Sequence, residues 1–77
     1  MRVLVVDDEQ PLRDALERAL KVERYDVESV ESGALALERM KTGGHEIDAV
    51  VLDVLMPGID GLEVCRRLRA SGDKTPV

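Results

Sequence analysis

Two short apolar runs, each closed by aspartate, constrain this chain more than anything else in it. Val3-Leu4-Val5-Val6 ends on Asp7-Asp8-Glu9, and Ala49-Val50-Val51-Leu52 ends on Asp53. A run with no polar position and many β-branched residues reads as a strand covered on both faces, as in a parallel sheet. After the first run, Pro11 suits the first turn of a helix, where its missing N–H costs nothing. Leu12, Ala15, Leu16, Ala19 and Leu20 then recur at helical spacing and predict an amphipathic helix. Its outer face would carry the i,i+4 pairs Arg13–Glu17, Asp14–Arg18 and Glu17–Lys21.

Val27 to Val30 is a weaker strand. Ser32 is an N-cap for a helix over Ala34 to Lys41, with Ala34, Leu37 and Met40 on one side. Thr42-Gly43-Gly44 would stop it through a left-handed glycine. Val54 to Gly61 is a loop punctuated by Pro57, Gly58 and Gly61. Leu62 to Ala70 predicts a third helix with Leu62, Cys65 and Leu68 inward, ended by Ser71-Gly72. Lys74-Thr75-Pro76-Val77 reads as the approach to another strand. The order is βαβαβα, which implies right-handed crossovers and a parallel sheet with helices on both faces. Ligands of such sheets bind at the carboxyl ends of the strands. Asp7, Asp8 and Asp53 stand at those ends, and if the two apolar strands are neighbours the three carboxylates share one crevice.

Composition narrows the function classes. The chain has 77 residues, enough for one small domain. Leu, Ile and Val make up 23 of them, which favours a packed fold over disorder. Tyr25 is the only aromatic residue, so the core must be aliphatic. A net charge of −5 argues against nucleic-acid binding by this chain, which needs a basic face, and against a polybasic membrane anchor. No apolar run reaches membrane-helix length, and the start is too short for a signal-peptide core. Cys65 is the only cysteine, which excludes an internal disulfide and a cysteine zinc site. The expectation is a cytoplasmic protein.

Clustered carboxylates repel one another. A hard divalent cation relieves the repulsion, and oxygen ligands with water positions left open suit Mg²⁺. A carboxylate beside such an ion can attack a phosphoryl group. Other chemistries fail on the residues. Leu55 and Pro57 occupy positions where a calcium loop needs oxygen ligands. There is no Gly-rich nucleotide loop with a lysine. A haloacid-dehalogenase-type phosphatase would need one residue between its first two aspartates, and Asp7 and Asp8 are adjacent. A stand-alone hydrolase would want a His or Lys near the pocket.

Val3-Leu4-Val5-Val6-Asp7-Asp8-Glu9, Val50-Val51-Leu52-Asp53 and Met56-Pro57-Gly58-Ile59-Asp60-Gly61 together resemble a response-regulator receiver domain, in the flavour of regulators with a winged-helix DNA-binding output, the OmpR-like group. The resemblance covers essentially the whole chain. It implies a flavodoxin-like sheet with strand order 2-1-3 over this stretch. It implies that Asp53 accepts a phosphoryl group from the phosphohistidine of a sensor histidine kinase. It implies Mg²⁺ held by Asp8, Asp53 and the backbone carbonyl of Leu55, with Asp7 acting through water. Pro57 and Gly61 would shape the loop that holds that carbonyl. Asp7 or Asp8 as a plain loop cap, and Asp53 as an N-cap, are the bland alternatives.

The resemblance also sets what to expect of residues 1–77 as a partial receiver domain. The family's fourth and fifth strands, its switch Ser/Thr, its Lys, its switch aromatic and its output face would all lie past Val77. Phosphorylation is then expected to be slow and uncoupled from a switch. Ala49–Leu52 is expected to be an unprotected edge, which predicts a homodimer through that strand or by exchange of elements. A structural or assembly fragment, or half of a chimeric flavodoxin-like design, is the rival reading. Glu9, His45 and the run Arg66, Arg67 and Arg69 read as solvated, Cys65, Met40 and Met56 as packing residues, and Asp60 as structural.

Overall fold

The structure, a computed structural model, describes all residues 1–77. β1 (Arg2–Val6), α1 (Gln10–Val22), β2 (Asp26–Val30), α2 (Gly33–Gly43), a 3-10 turn (Gly44–Glu46), β3 (Ala49–Leu52) and α3 (Gly61–Ala70) follow in order. The three strands form one sheet in the order β2-β1-β3, parallel throughout. β1 is central, with Val3 opposite Val27 on one side and Ala49 on the other. Of the two wholly apolar runs, Val3–Val6 thus has a strand on both edges and Ala49–Leu52 on one.

Alternation along β1 sorts the core into two layers. Leu4 and Val6 point to one face and join Ala36, Met40, Ile47, Val50, Met56, Val64 and Leu68 in a single cluster under α2 and α3. Val3 and Val5 point to the other face, where α1 lies against β1 and β2, and they are equally buried. Cluster members come from β1, α2, β3, α3 and the segments before and after β3; β2 adds only the partly buried Val30, and α1 has no fully buried residue.

The helices exist where the periodicity puts them, but their inward faces differ from the expected ones. On α1, Leu16 and Leu20 are half-buried while Leu12, Ala15 and Ala19 are exposed. On α2 the buried residues are Gly33, Ala36, Met40 and Gly43, with Leu37 packed beside them, and Ala34 is exposed. On α3 they are Gly61, Val64 and Leu68; Leu62 is 67% exposed and Cys65 half-buried. The rotation of α3 is set by Gly61, whose backbone lies so close to Asp53 and Val54 that it must face inward. The i,i+4 pairs expected along α1 do not form. Arg13 instead donates to the Asp7 carbonyl, and Glu17 accepts from the Ser29 hydroxyl.

Ser32 caps α2, accepting from the Leu35 N–H. The left-handed glycine expected after α2 is not there: Gly43 has an extended φ and Gly44 is right-handed, and the chain runs on into the 3-10 turn. A left-handed glycine does follow α3, at Gly72. At the amino end of the sheet, Glu28 of β2 lies between Arg39 of α2 and Arg2 of β1, and Glu46 meets the same two arginines. On the outer side of β3, the Val50 N–H donates to the Pro76 carbonyl at 2.9 Å. The segment after α3 therefore starts to line β3, and that edge is less bare than its sequence implies.

Candidate functional site

The acidic crevice follows from register. Val6 pairs with Leu52 across β1 and β3, so the next residues, Asp7 and Asp53, leave the sheet side by side. The Asp53 N–H donates to the Val6 carbonyl at 3.0 Å, and the Asp7 N–H to the Val30 carbonyl at 3.2 Å. Both aspartates are thereby held by the ends of the ladder. Asp8 follows one residue later, at the mouth. One carboxylate oxygen from each of Asp7, Asp8 and Asp53 lies within 4.8 Å of the others. Burial grades outward: Asp7 is buried at 4% exposure, Asp53 is half-buried, and Asp8 is exposed.

Local bonds fix the carboxylates. Asp7 Oδ1 accepts the Glu9 N–H at 2.9 Å, and Asp53 Oδ1 accepts the Leu55 N–H at 3.2 Å. None of the three forms an ion pair with a basic side chain. The set is therefore a concentration of negative charge with oxygen donors only. That is the donor chemistry of a hard divalent cation, and Mg²⁺, which takes few carboxylates and keeps several waters, fits it.

The β3–α3 loop is anchored at three points. Met56 is buried in the main cluster. The Gly61 N–H donates to the Val54 carbonyl at 3.0 Å, closing the loop on itself. Asp60 caps α3, its Oδ1 accepting the Glu63 N–H at 2.8 Å. A side chain at Gly61 would overlap the Asp53 carbonyl and stand 2.9 Å from the Val54 Cα. Gly58, at φ +74°, makes the turn between Pro57 and Ile59. Leu55 and Pro57 are exposed at the rim.

Glu9 is exposed and precedes α1. His45 is exposed in the 3-10 turn. Of the α3 arginines, Arg66 and Arg67 grip Glu63, and Arg69 donates to the Asp73 carbonyl. The two guanidiniums hold the Glu63 carboxyl down to about 2. Arg13 is the site neighbour that sequence reasoning missed. Helical spacing assigns it to an ion pair with Glu17, whereas its Nη1 lies 2.7 Å from the Asp7 carbonyl oxygen.

This is an open parallel α/β module with an acid-lined crevice at the carboxyl ends of adjacent strands. A family model, the response regulator receiver domain, matches residues 3–77. The chain belongs to that family, the signalling modules of two-component systems. It is 48% identical over 77 residues to response regulator MprA of Mycobacterium sp. (strain KMS), an alignment covering all of this chain and 33% of that protein. The chain thus spans about a third of the length of the curated relatives it matches.

Solved structures agree. Response regulator TrrA from Thermotoga maritima, in complex with Mg²⁺-BeF, is 43% identical with a TM-score of 0.86, over 91% of this chain and 59% of that one. TrrA has also been solved in complex with the histidine kinase ThkA; there the TM-score is 0.82 at 43% identity, over 90% of this chain and 58% of that one. The receiver domain of the Francisella response regulator 1452 gives a TM-score of 0.92 at 29% identity, over 99% of this chain and 61% of that one. No helix is long and apolar enough to cross a membrane.

Proposed function

We propose that this chain is the phospho-acceptor module of its response regulator and that Asp53 is the acceptor. The observation that carries the reading is the convergence of Asp7, Asp8 and Asp53 within 4.8 Å at the ends of adjacent strands. Asp53 is the member half-open to solvent, held by its own strand and by the Leu55 N–H, so it can be reached without being loose. Its free carboxylate oxygen attacks the phosphorus of a phosphohistidine. The P–N bond breaks, and the imidazole nitrogen leaves with the electron pair and takes up a proton. The donor is a sensor histidine kinase, a partner supported by the ThkA complex of the similar TrrA.

Asp8, Asp53 and the Leu55 carbonyl are the protein ligands we assign to Mg²⁺, with Asp7 acting through water. The Mg²⁺-BeF complex of TrrA supports that choice. A bound Mg²⁺ supplies the offset of negative charge where carboxylates and phosphoryl oxygens crowd together. Pro57 and Gly61 hold the loop in the shape that presents Leu55. The parent protein, in this reading, is a DNA-binding transcriptional regulator acting in the cytoplasm, and residues 1–77 are a partial receiver domain with no nucleic-acid contact of its own. We propose further that this chain pairs with a second copy of itself on the β3 side.

Incubation with a small phosphodonor and Mg²⁺ tests the acceptor. The expected result is one hydroxylamine-labile phosphoryl group per chain, absent in Asp53→Asn. No uptake, or uptake that survives Asp53→Asn, overturns the assignment. The structural-fragment reading has no need of the acidic convergence.

A further inference from the structure

Four hydrogen bonds hold the turn that carries the acidic pair, and one residue makes two of them. The Asp7 N–H is used by Val30, and the Asp7 carboxylate takes the Glu9 N–H. The Asp7 carbonyl lies past the end of β1 and before the first turn of α1, outside both ladders. Its partner is Arg13, whose Nη1 donates to it at 2.7 Å. The backbone N–H of Arg13 donates to the Glu9 carbonyl at 3.0 Å. One residue of α1 therefore grips the chain on each side of Asp8, the most exposed of the three acids.

We infer that Arg13 is a positioning residue for the acidic cluster: by holding the Asp7 carbonyl it fixes the peptide plane between Asp7 and Asp8 and so aims the Asp8 carboxylate into the crevice. The inference rests on the Mg²⁺ assignment made above. Arg13 is half-buried, and its guanidinium bonds a carbonyl, not a carboxylate, and forms no ion pair. A residue serving only as counter-charge would sit on a carboxylate. A charge-assisted bond to a carbonyl that has no other partner is a means of fixing geometry. Groups that orient metal ligands in this way commonly change metal affinity tenfold or more when removed.

The two roles differ in the sign of the effect. A counter-charge competes with a metal ion, so its removal tightens cation binding. A positioning group helps the ligand, so its removal weakens binding. The test titrates Mg²⁺, and separately Ca²⁺, into the unmutated chain, Arg13→Ala, Arg13→Lys and Asp8→Ala, followed by amide NMR shifts. Alanine is a good helix former and leaves α1 intact. Roughly tenfold weaker Mg²⁺ binding is expected for Arg13→Ala. Ca²⁺ should lose less, because it tolerates irregular geometry while Mg²⁺ demands a near-octahedral one. A general loss of stability would not narrow the Mg²⁺ preference. Arg13→Lys should recover part of the affinity through a single N–H, and adding Arg13→Ala to Asp8→Ala should change nothing further.

Unchanged or tighter Mg²⁺ binding in Arg13→Ala, with Asp8→Ala still impaired, overturns the positioning role and leaves the metal assignment standing. Equal Mg²⁺ affinity in the unmutated chain and Asp8→Ala overturns the metal assignment, and the role of Arg13 falls with it. If Arg13→Ala is unfolded by circular dichroism, Arg13→Met decides: it keeps the packing of the long stem without a donor, so weaker Mg²⁺ binding is expected, and affinity equal to that of the unmutated chain overturns the inference.

Discussion

At the scale of single residues, the site depends on places where a side chain would not fit as much as on the acids. Gly61 is the sharpest case. Its Cβ would overlap backbone atoms of Asp53 and Val54, which cannot move as the end of a flexible side chain could. Gly61→Ala should therefore cost about 1–3 kcal/mol, the usual range for overpacking. It should also displace the Asp53 backbone. Thermal unfolding together with Mg²⁺ titration checks both effects, and a fully stable variant with unchanged Mg²⁺ affinity would show that the loop absorbs the methyl. The acids, the cap at Ser32 and the loop glycines could be read from sequence because each is tied to its neighbours in the chain. Arg13 could not be. The partner of a long flexible cation is decided by where the loop before it turns, and a helical repeat carries no information on that.

At the scale of elements, the strands were more legible than the helix faces. A strand buried on both sides has no face to choose, and a parallel sheet asks only for a run of apolar residues. A ten-residue helix such as α3 offers two apolar stripes, Leu62–Cys65 and Val64–Leu68, and spacing alone cannot rank them. The close approach of Gly61 to the end of β3 ranks them, which is a tertiary fact. Leu68→Ala should thus cost about 2–4 kcal/mol. Leu62→Ala, at a position 67% exposed, should stay within about 0.5 kcal/mol. Denaturant unfolding of the pair measures the difference, and equal losses would mean that α3 is rotated from the orientation described.

The amino end of the sheet carries a second element-scale effect. Glu28 is held below the ordinary carboxylate range chiefly by its hydrogen bond to Arg39; desolvation is the next largest effect and opposes it, and the charges of Arg39 and Arg2 add smaller lowerings. A carboxylate with a depressed folded-state pKa adds stability above its unfolded value, about 4.3, and loses it as the pH falls through the folded value. Glu28→Gln should lower the melting temperature at neutral pH. The gap from the unmutated chain should close as the pH falls well below about 4. The ion pairs are partly exposed, so added salt should narrow the gap as well. A gap that is constant from neutral to acid would show that packing, and not charge, is what Glu28 provides.

At the scale of the whole molecule, the two sides of the sheet are unequally covered. Under α2 and α3 the layer is continuous from β1 to β3, and Val50 is 3% exposed. On the α1 side, Val3 and Val5 of β1 are 4% and 0% exposed, but Val51 of β3, the next strand over, is 39% exposed. Val54 beyond it and Leu12 on α1 are also open. The sequence shows both faces of β3 as equally apolar; only the placement of α1 over β1 and β2 makes one of them wet. The Pro76 carbonyl on the Val50 N–H shields part of the strand's hydrogen-bonding edge, so it is the face, more than the edge, that remains to be covered. Each aliphatic side chain left in water forgoes about 1.5–3 kcal/mol. A domain of this length has roughly 4–11 kcal/mol of stability in all. Two or three such side chains therefore weigh as much as a large part of the whole. A two-fold pairing that brings this face against its copy is the simplest closed way to cover it. Sedimentation over a range of micromolar concentrations should show a reversible dimer. Val51→Lys should shift the equilibrium toward monomer, because pairing would then bury two lysines against each other, while in a lone monomer the lysine stem can lie on the sheet and carry its ammonium into water. A cooperatively folded monomer at every concentration would mean that the wet face is tolerated and that the proposed pairing is wrong.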